Sequence, residues 1–163
     1  MNTRGQTVLV TGARGFIGSC LRGYLAGSPQ KKRTFSLDQR ACARSGIIRC
    51  DLTRTDALCR VLRRHRPDLI FHCCGNTVSS ELPVLLRAHV ATTVSLFTAI
   101  QRIRGYHPRV IIPSTAAEYG RVKNNRPIPE TAVPDPFSTY AISKAMQTNL
   151  ALLAARTAGM DII

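Results

Sequence analysis

The sequence predicts an α/β fold, a parallel sheet doubly wound with helices on both faces. Short apolar runs alternate with stretches of helical periodicity along the chain, and a glycine-rich turn joins the first run to the first helical stretch. At 163 residues and 44% hydrophobic content the chain can bury one core of its own, so residues 1–163 are read as a single domain.

The elements follow in order. Val8-Leu9-Val10 is a short strand that runs into the glycine turn, and a helix is expected from about Phe16 to Ala26. Thr34-Phe35-Ser36-Leu37 ends at Asp38 and Ile47-Ile48-Arg49-Cys50 ends at Asp51, so two further strands each deliver a carboxylate to the C-terminal edge of the sheet, where open α/β sheets bind ligands. Leu58, Val61 and Leu62 recur on one face of a helix that Pro67 stops. Asp68 to Cys74 reads as a fully buried fourth strand. Glu81 to Arg104 reads as a long helix with Leu82, Leu85, Leu86, Thr93, Leu96, Ile100 and Ile103 along one side, together with His89. Arg109 to Ile112 is a fifth strand ended by Pro113. A proline-rich loop from Arg126 to Pro136 leads into a last helix from about Tyr140 to Thr157, and Met160 to Ile163 begins a sixth strand.

Composition narrows the classes of function. Six cysteines (Cys20, Cys42, Cys50, Cys59, Cys73, Cys74) include no C-x-x-C pair, and four histidines show no zinc spacing with them, so free thiols and no metal are expected. Met1 to Gln6 is too short and polar for a signal peptide, and no run approaches the roughly 20 apolar residues of a membrane span, which leaves the cytoplasm as the default address. The 23 Lys plus Arg against 9 Asp plus Glu give +14 and would draw polyanions. The clusters Lys31-Lys32-Arg33 and Arg60, Arg63, Arg64, Arg66 lack interleaved aromatics, so a solvated basic surface is expected rather than a specific nucleic-acid site.

Gly12-Ala13-Arg14-Gly15-Phe16-Ile17-Gly18 carries the first functional signal, because it follows a strand and opens a helix. Small residues there let the chain turn sharply, let backbone N–H groups approach a pyrophosphate, and let the helix pack close to the sheet, while the helix N-terminus adds partial positive charge. Asp38 stands 20 positions past Gly18, where an acidic residue binds the adenosine ribose hydroxyls, which favours NAD; Arg40 offers a contact for a 2′-phosphate and keeps NADP open. Tyr140 and Lys144 are four residues apart and share one helix face. An ammonium beside a phenol stabilises phenolate, which lets Tyr140 exchange a proton with a substrate hydroxyl or carbonyl.

With a Ser/Thr at the end of the fifth strand, these motifs make the chain resemble the extended short-chain dehydrogenase/reductase family of nucleotide-sugar epimerases, dehydratases and reductases. The resemblance extends through Asp51-Leu52, Phe71-His72-Cys73-Cys74, Pro113-Ser114-Thr115-Ala116-Ala117-Glu118-Tyr119-Gly120 and Pro129-Glu130 ahead of Tyr140, and so covers essentially the whole chain. It implies a Rossmann-type domain that binds the cofactor through Gly12, Gly15, Phe16, Ile17, Gly18, Asp38, Asp51, Leu52, Tyr140 and Lys144. It also implies a catalytic Thr115 beside Tyr140 and Lys144, with Ser114 the second candidate for the hydroxyl role, a nucleotide-sugar substrate, and a homodimer in the full-length form.

Two departures qualify the resemblance. Family dehydratases carry an acidic residue two places after the catalytic threonine, where this chain has Ala117. Glu118-Tyr119-Gly120 instead resembles branches that include 4-keto-sugar reductases, such as GDP-4-dehydro-6-deoxy-mannose reductase, and assorted epimerases. His89 stands where the family commonly has the asparagine of Asn-Val-x-Gly-Thr. In the family that asparagine helps organise the proton path beneath the lysine; the histidine either substitutes as a hydrogen-bonding group, impairs that path, or is a core histidine capped by a backbone carbonyl. Family members also continue into a smaller C-terminal region that holds the nucleotide-sugar, and none follows Ile163, so the chain reads as a truncated member. A cofactor-binding module without turnover is the rival reading, and a basic nucleic-acid-binding protein the third.

Overall fold

The computed structural model describes residues 6–29, 32–40, 46–121 and 127–163. Met1, Lys31, Cys42 and Arg126, each part of an expectation above, lie outside the described residues.

Five short strands, β1 (Thr7–Thr11), β2 (Arg33–Asp38), β3 (Ile48–Arg49), β4 (Leu69–His72) and β5 (Arg109–Ile111), form one sheet in the order β3-β2-β1-β4-β5. Every pair is parallel. The order reverses at β1, so β2 and β4 leave it in opposite directions and open a crevice at the C-terminal edge. The expected sixth strand is present as a single parallel bridge between Val110 and Ile162.

The main core lies on the face covered by α2 (Thr55–His65), α4 (Thr92–Gln101) and α5 (Thr139–Ala158), where Leu9, Leu37, Leu58, Leu62, Ile70, Leu96 and Val110 are fully buried. Each such side chain stabilises the fold by about 1.5–3 kcal/mol relative to exposure. The other face is thinner: α1 (Phe16–Gly27) brings Leu21 and Leu25 against Val8, Val10, Leu69 and Phe71. For this reason β4, expected to be fully buried from Asp68 to Cys74, pairs only over Leu69–His72, with Ile70 and His72 buried and Leu69 and Phe71 partly open.

α2 ends before Pro67, as expected, but the stop itself is Arg66 in a left-handed conformation (φ 40°). Its backbone N–H donates to the Leu62 carbonyl at 2.8 Å, and its guanidinium donates to the Gly105 carbonyl at 2.8 Å while lying over the Tyr106 ring. These contacts hold a conformation that a residue with a Cβ avoids.

The long helix after β4 is not uniform. α3 (Leu82–Leu86) passes into a π turn (Arg87–Ala91) before α4 begins. Leu82–Gln101 is long and apolar enough to cross a membrane by composition, which corrects the expectation that no segment approaches that length; half of it is buried within the domain. Its apolar residues serve the core.

Candidate active site

The glycine turn is shaped by close backbone approach. Gly12 has φ +64°, and a Cβ there would lie 2.6 Å from the Cys73 carbonyl oxygen; at Gly18 a Cβ would lie 2.2 Å from the Gly12 oxygen. Both positions exclude a side chain. Gly15 differs, since its Cβ would meet only the Gly12 oxygen at 3.2 Å. Gly15 is also the N-cap of α1, with no side-chain cap and no acidic residue in the first turn, so the positive end of the helix has no protein anion in place. Phe16 and Ile17 on that turn are exposed.

Asp38 ends β2 and is buried; its two carboxylate oxygens accept the Arg14 N–H at 3.0 Å and the Arg40 N–H at 2.9 Å. The Arg14 guanidinium donates to the Arg40 carbonyl, so both arginines flank the carboxylate. Asp51 accepts from Thr53 through its backbone N–H at 3.0 Å and its hydroxyl at 2.7 Å, and these bonds hold its carboxyl below the usual range. Leu52 is buried in the core, which leaves its backbone rather than its side chain at the edge.

The edge after β4 and β5 is organised by side chains. His72 is buried between Thr11 Oγ1 (2.9 Å from Nδ1) and Thr92 Oγ1 (3.4 Å from Nε2), and burial, with the Lys144 charge second, pushes its pKa down to about 3. Burial lifts the Cys73 and Cys74 thiols to about 11, so both are neutral near pH 7. Among the described residues no cluster of three or more His, Cys, Asp or Glu could hold a metal ion.

Ser138 caps α5 by accepting the Ala141 N–H, and Thr139 Oγ1 donates to the Ser80 carbonyl. Tyr140 therefore sits on a fixed first turn of the helix, with Lys144 one turn further along. Lys144 is buried; Nζ donates to the Pro113 carbonyl at 2.7 Å and to Gln147 Oε1, and desolvation lowers its pKa, offset in part by Glu118. The Pro113 bond ties Lys144 to the segment that carries Thr115. Thr115 caps a 3-10 turn (Ala116–Tyr119), its oxygen accepting the Ala117 N–H at 3.3 Å, which leaves its hydroxyl proton free to donate. The Ser114 hydroxyl is committed to Glu118 Oε1 at 2.5 Å.

Several residues of this region escaped the sequence reading. Gln147, 1% exposed, bridges Lys144 to the His89 carbonyl (3.2 Å) and to Thr93 Oγ1 (2.8 Å). Buried Glu118 accepts from Ser114 and from Thr148 at 3.0 Å. Gln147 lies three residues past Lys144, a spacing that places it on the same helix face and was available in the sequence. His89 is not capped by a carbonyl; its ring contacts the Ser143 hydroxyl and the Asn76 N–H.

A parallel sheet with this order, a glycine cradle closed to any Cβ and an uncapped helix N-terminus define a dinucleotide-binding protein of the Rossmann type. Residues 8–163 match the NAD dependent epimerase/dehydratase family, and the chain belongs to it. It is 32% identical over 152 residues to UDP-glucose 4-epimerase of Azospirillum brasilense, covering 85% of this chain and 42% of that protein. It is 29% identical over 163 residues to GDP-6-deoxy-D-mannose reductase of Pseudomonas aeruginosa, covering 97% of this chain and 50% of that protein. The UDP-glucose 4-epimerase of Thermus thermophilus in complex with NAD superposes with a TM-score of 0.83 at 29% identity, over 96% of this chain and 53% of that one. Solved relatives include complexes with NAD and with NADPH. The chain spans about half the length of the curated relatives it matches.

Proposed function

We propose that this chain binds NAD(P) and contributes Thr115, Tyr140 and Lys144 to hydride-transfer chemistry on a nucleotide-activated sugar, as an epimerase or a reductase. The observation that carries the reading is the buried Lys144, whose ammonium is held by Pro113 and Gln147 on the same helix face as Tyr140. Family membership and relatives that are nucleotide-sugar enzymes support the substrate class.

The cradle at Gly12 and Gly18 and the free N-terminus of α1 fit a pyrophosphate, and Asp38 with Arg14 and Arg40 fits the adenosine ribose. The nicotinamide would supply the hydride chemistry. The chain's own part is proton management and orientation. Tyr140 moves a proton to or from the reacting sugar oxygen, Thr115 donates a hydrogen bond to that oxygen, and Lys144, on the same helix face as Tyr140, holds the nicotinamide ribose. Asp38 supports NAD and the paired arginines leave room for NADP, so titration with both cofactors decides between them. Nothing in the basic clusters beyond net charge supports nucleic-acid binding, and such binding is expected to be nonspecific and steeply salt-dependent. The cytoplasm and a homodimer of the longer form remain part of the proposal.

The test is Tyr140→Phe. In a form that carries the rest of the relatives' length, it should lower turnover by about 10²–10⁴-fold with cofactor affinity nearly unchanged. Full activity in Tyr140→Phe would remove the assignment. A second reading, a cofactor-binding module without turnover, is favoured by His89 standing where the family commonly has an asparagine; ordinary turnover of a 4-keto nucleotide-sugar by this chain would exclude it.

A further inference from the structure

His89 is 1% exposed at the middle of the π turn; its ring nitrogens face the loop after β4 and the helix that carries Tyr140 and Lys144, and its carbonyl accepts the Thr93 hydroxyl of α4 at 2.6 Å as well as a bond from α5. Nε2 accepts the Asn76 backbone N–H at 3.1 Å, so it carries no proton. The ring proton therefore sits on Nδ1, which donates to Ser143 Oγ at 2.9 Å, and the Ser143 hydroxyl donates onward to the Tyr140 carbonyl at 2.8 Å. The His89 and Tyr140 rings meet edge to face, with centroids 5.6 Å apart at 77°. On its main-chain side, the His89 carbonyl accepts Gln147 Nε2, from the amide whose oxygen holds Lys144. One residue thus contacts both turns of α5 that carry the reactive groups. Gly75 lets the loop close over it, since a Cβ there would lie 3.1 Å from Nε2.

We propose that His89 is a positioning residue, a neutral strut protonated on Nδ1 that fixes the Tyr140–Lys144 face of α5 against the loop following β4. The identity of the reactive groups rests on the functional reading above; the strut itself rests on hydrogen bonds. Burial, with the Lys144 charge second, holds the ring pKa down to about 4, which keeps the neutral form in place near pH 7. A cation would repel Lys144 and lose the bond from Asn76. A side chain that merely fills the core would affect stability and cofactor affinity together; a strut affects the chemical step.

Nitrogen NMR of the His89 ring reads the strut without any turnover. A neutral ring with its proton on Nδ1 at pH 7 is expected; an Nε2-protonated ring or a cation overturns the proposal. Three variants then separate its contacts. His89→Gln keeps an acceptor for Asn76 but loses the Nδ1 donor, His89→Asn keeps a donor near Nδ1, and Ser143→Ala removes the link to Tyr140 alone. Hydride transfer should fall by about 10–100-fold in His89→Gln and Ser143→Ala, with cofactor dissociation constants unchanged and with His89→Asn recovering most of the loss. Unchanged rates, or losses matched by equal losses in cofactor affinity, overturn it. If the unaltered chain binds cofactor and transfers no hydride, the functional reading fails, and the ring protonation alone upholds or overturns the strut.

Discussion

Near β1 and β2 the edge of the sheet is built from backbone: a left-handed glycine, a helix start without a side-chain cap, and a carboxylate that receives two main-chain N–H groups. Near β4 and β5 it is built from side chains, with His72, His89, Ser143, Lys144 and Gln147 buried and bonded to one another, to threonine hydroxyls or to main-chain groups, many of them far away in sequence. The first region tolerates almost no added atoms and asks little of electrostatics. The second tolerates shape changes better than changes in polarity, because each lost partner leaves a buried donor or acceptor unmet.

The largest effect should come from adding one methyl to the backbone-built side. Gly18→Ala would place a Cβ 2.2 Å from the Gly12 oxygen, so cofactor binding should be lost and the domain destabilised by about 1–3 kcal/mol, read by NAD(H) and NADP(H) titration and by denaturant melts. Gly15→Val sharpens the contrast: the chain should lose the cofactor at a smaller cost in stability than Gly18→Ala, since its Cβ meets only the Gly12 oxygen, at 3.2 Å. Normal cofactor binding by Gly18→Ala would break the comparison.

Acidification should act on the side-chain-built region instead. His72 and His89 fall from an ordinary value of 6.5 to about 3 and about 4 in the fold, so the unfolded chain takes up protons that the folded one refuses. Stability is therefore complete above pH 6.5 and declines as pH drops toward 4, each imidazole adding a slope of at most about 1.4 kcal/mol per pH unit. Denaturant melts between pH 7.5 and 4.5 measure it, and a flat profile would show that these rings are not held neutral. A smaller effect is expected for Gln147→Leu, which fills similar space but leaves Lys144, Thr93 and the His89 carbonyl each short of a partner. The expected cost in the same melts is about 1–3 kcal/mol.

This division also explains what could be read from the sequence. Alternating strand and helix patterns, the glycines, and Tyr140 with Lys144 are local signals, and the elements they predict are present within a residue or two of their expected bounds, except that the long helix ends at Gln101 rather than Arg104 and the sixth strand is reduced to one bridge at Ile162. The bonds from Ser143 to His89 and from Gln147 to the His89 carbonyl span 54 and 58 residues, and no local pattern encodes them. The π turn was hidden for a related reason: Leu85, Leu96 and Ile100 fit a continuous apolar face, so the periodicity passes over one widened turn. Partial exposure of β4 followed from how many helices cover each face, a property of the assembled sheet.

The π turn at Arg87–Ala91 also sets the angular phase of everything before it. A π turn holds one more residue than an α turn in about the same rotation, so a single deletion within 87–91 would restore ordinary winding with Leu82–Leu86 still in phase with α4, whereas rewinding all five residues as α-helix would rotate Leu82–Leu86 by about a quarter turn. In that second case Leu85, now fully buried, would swing toward solvent. The wide turn thus works as a phase offset that takes up one residue of length without turning the buried face of α3 away from the core.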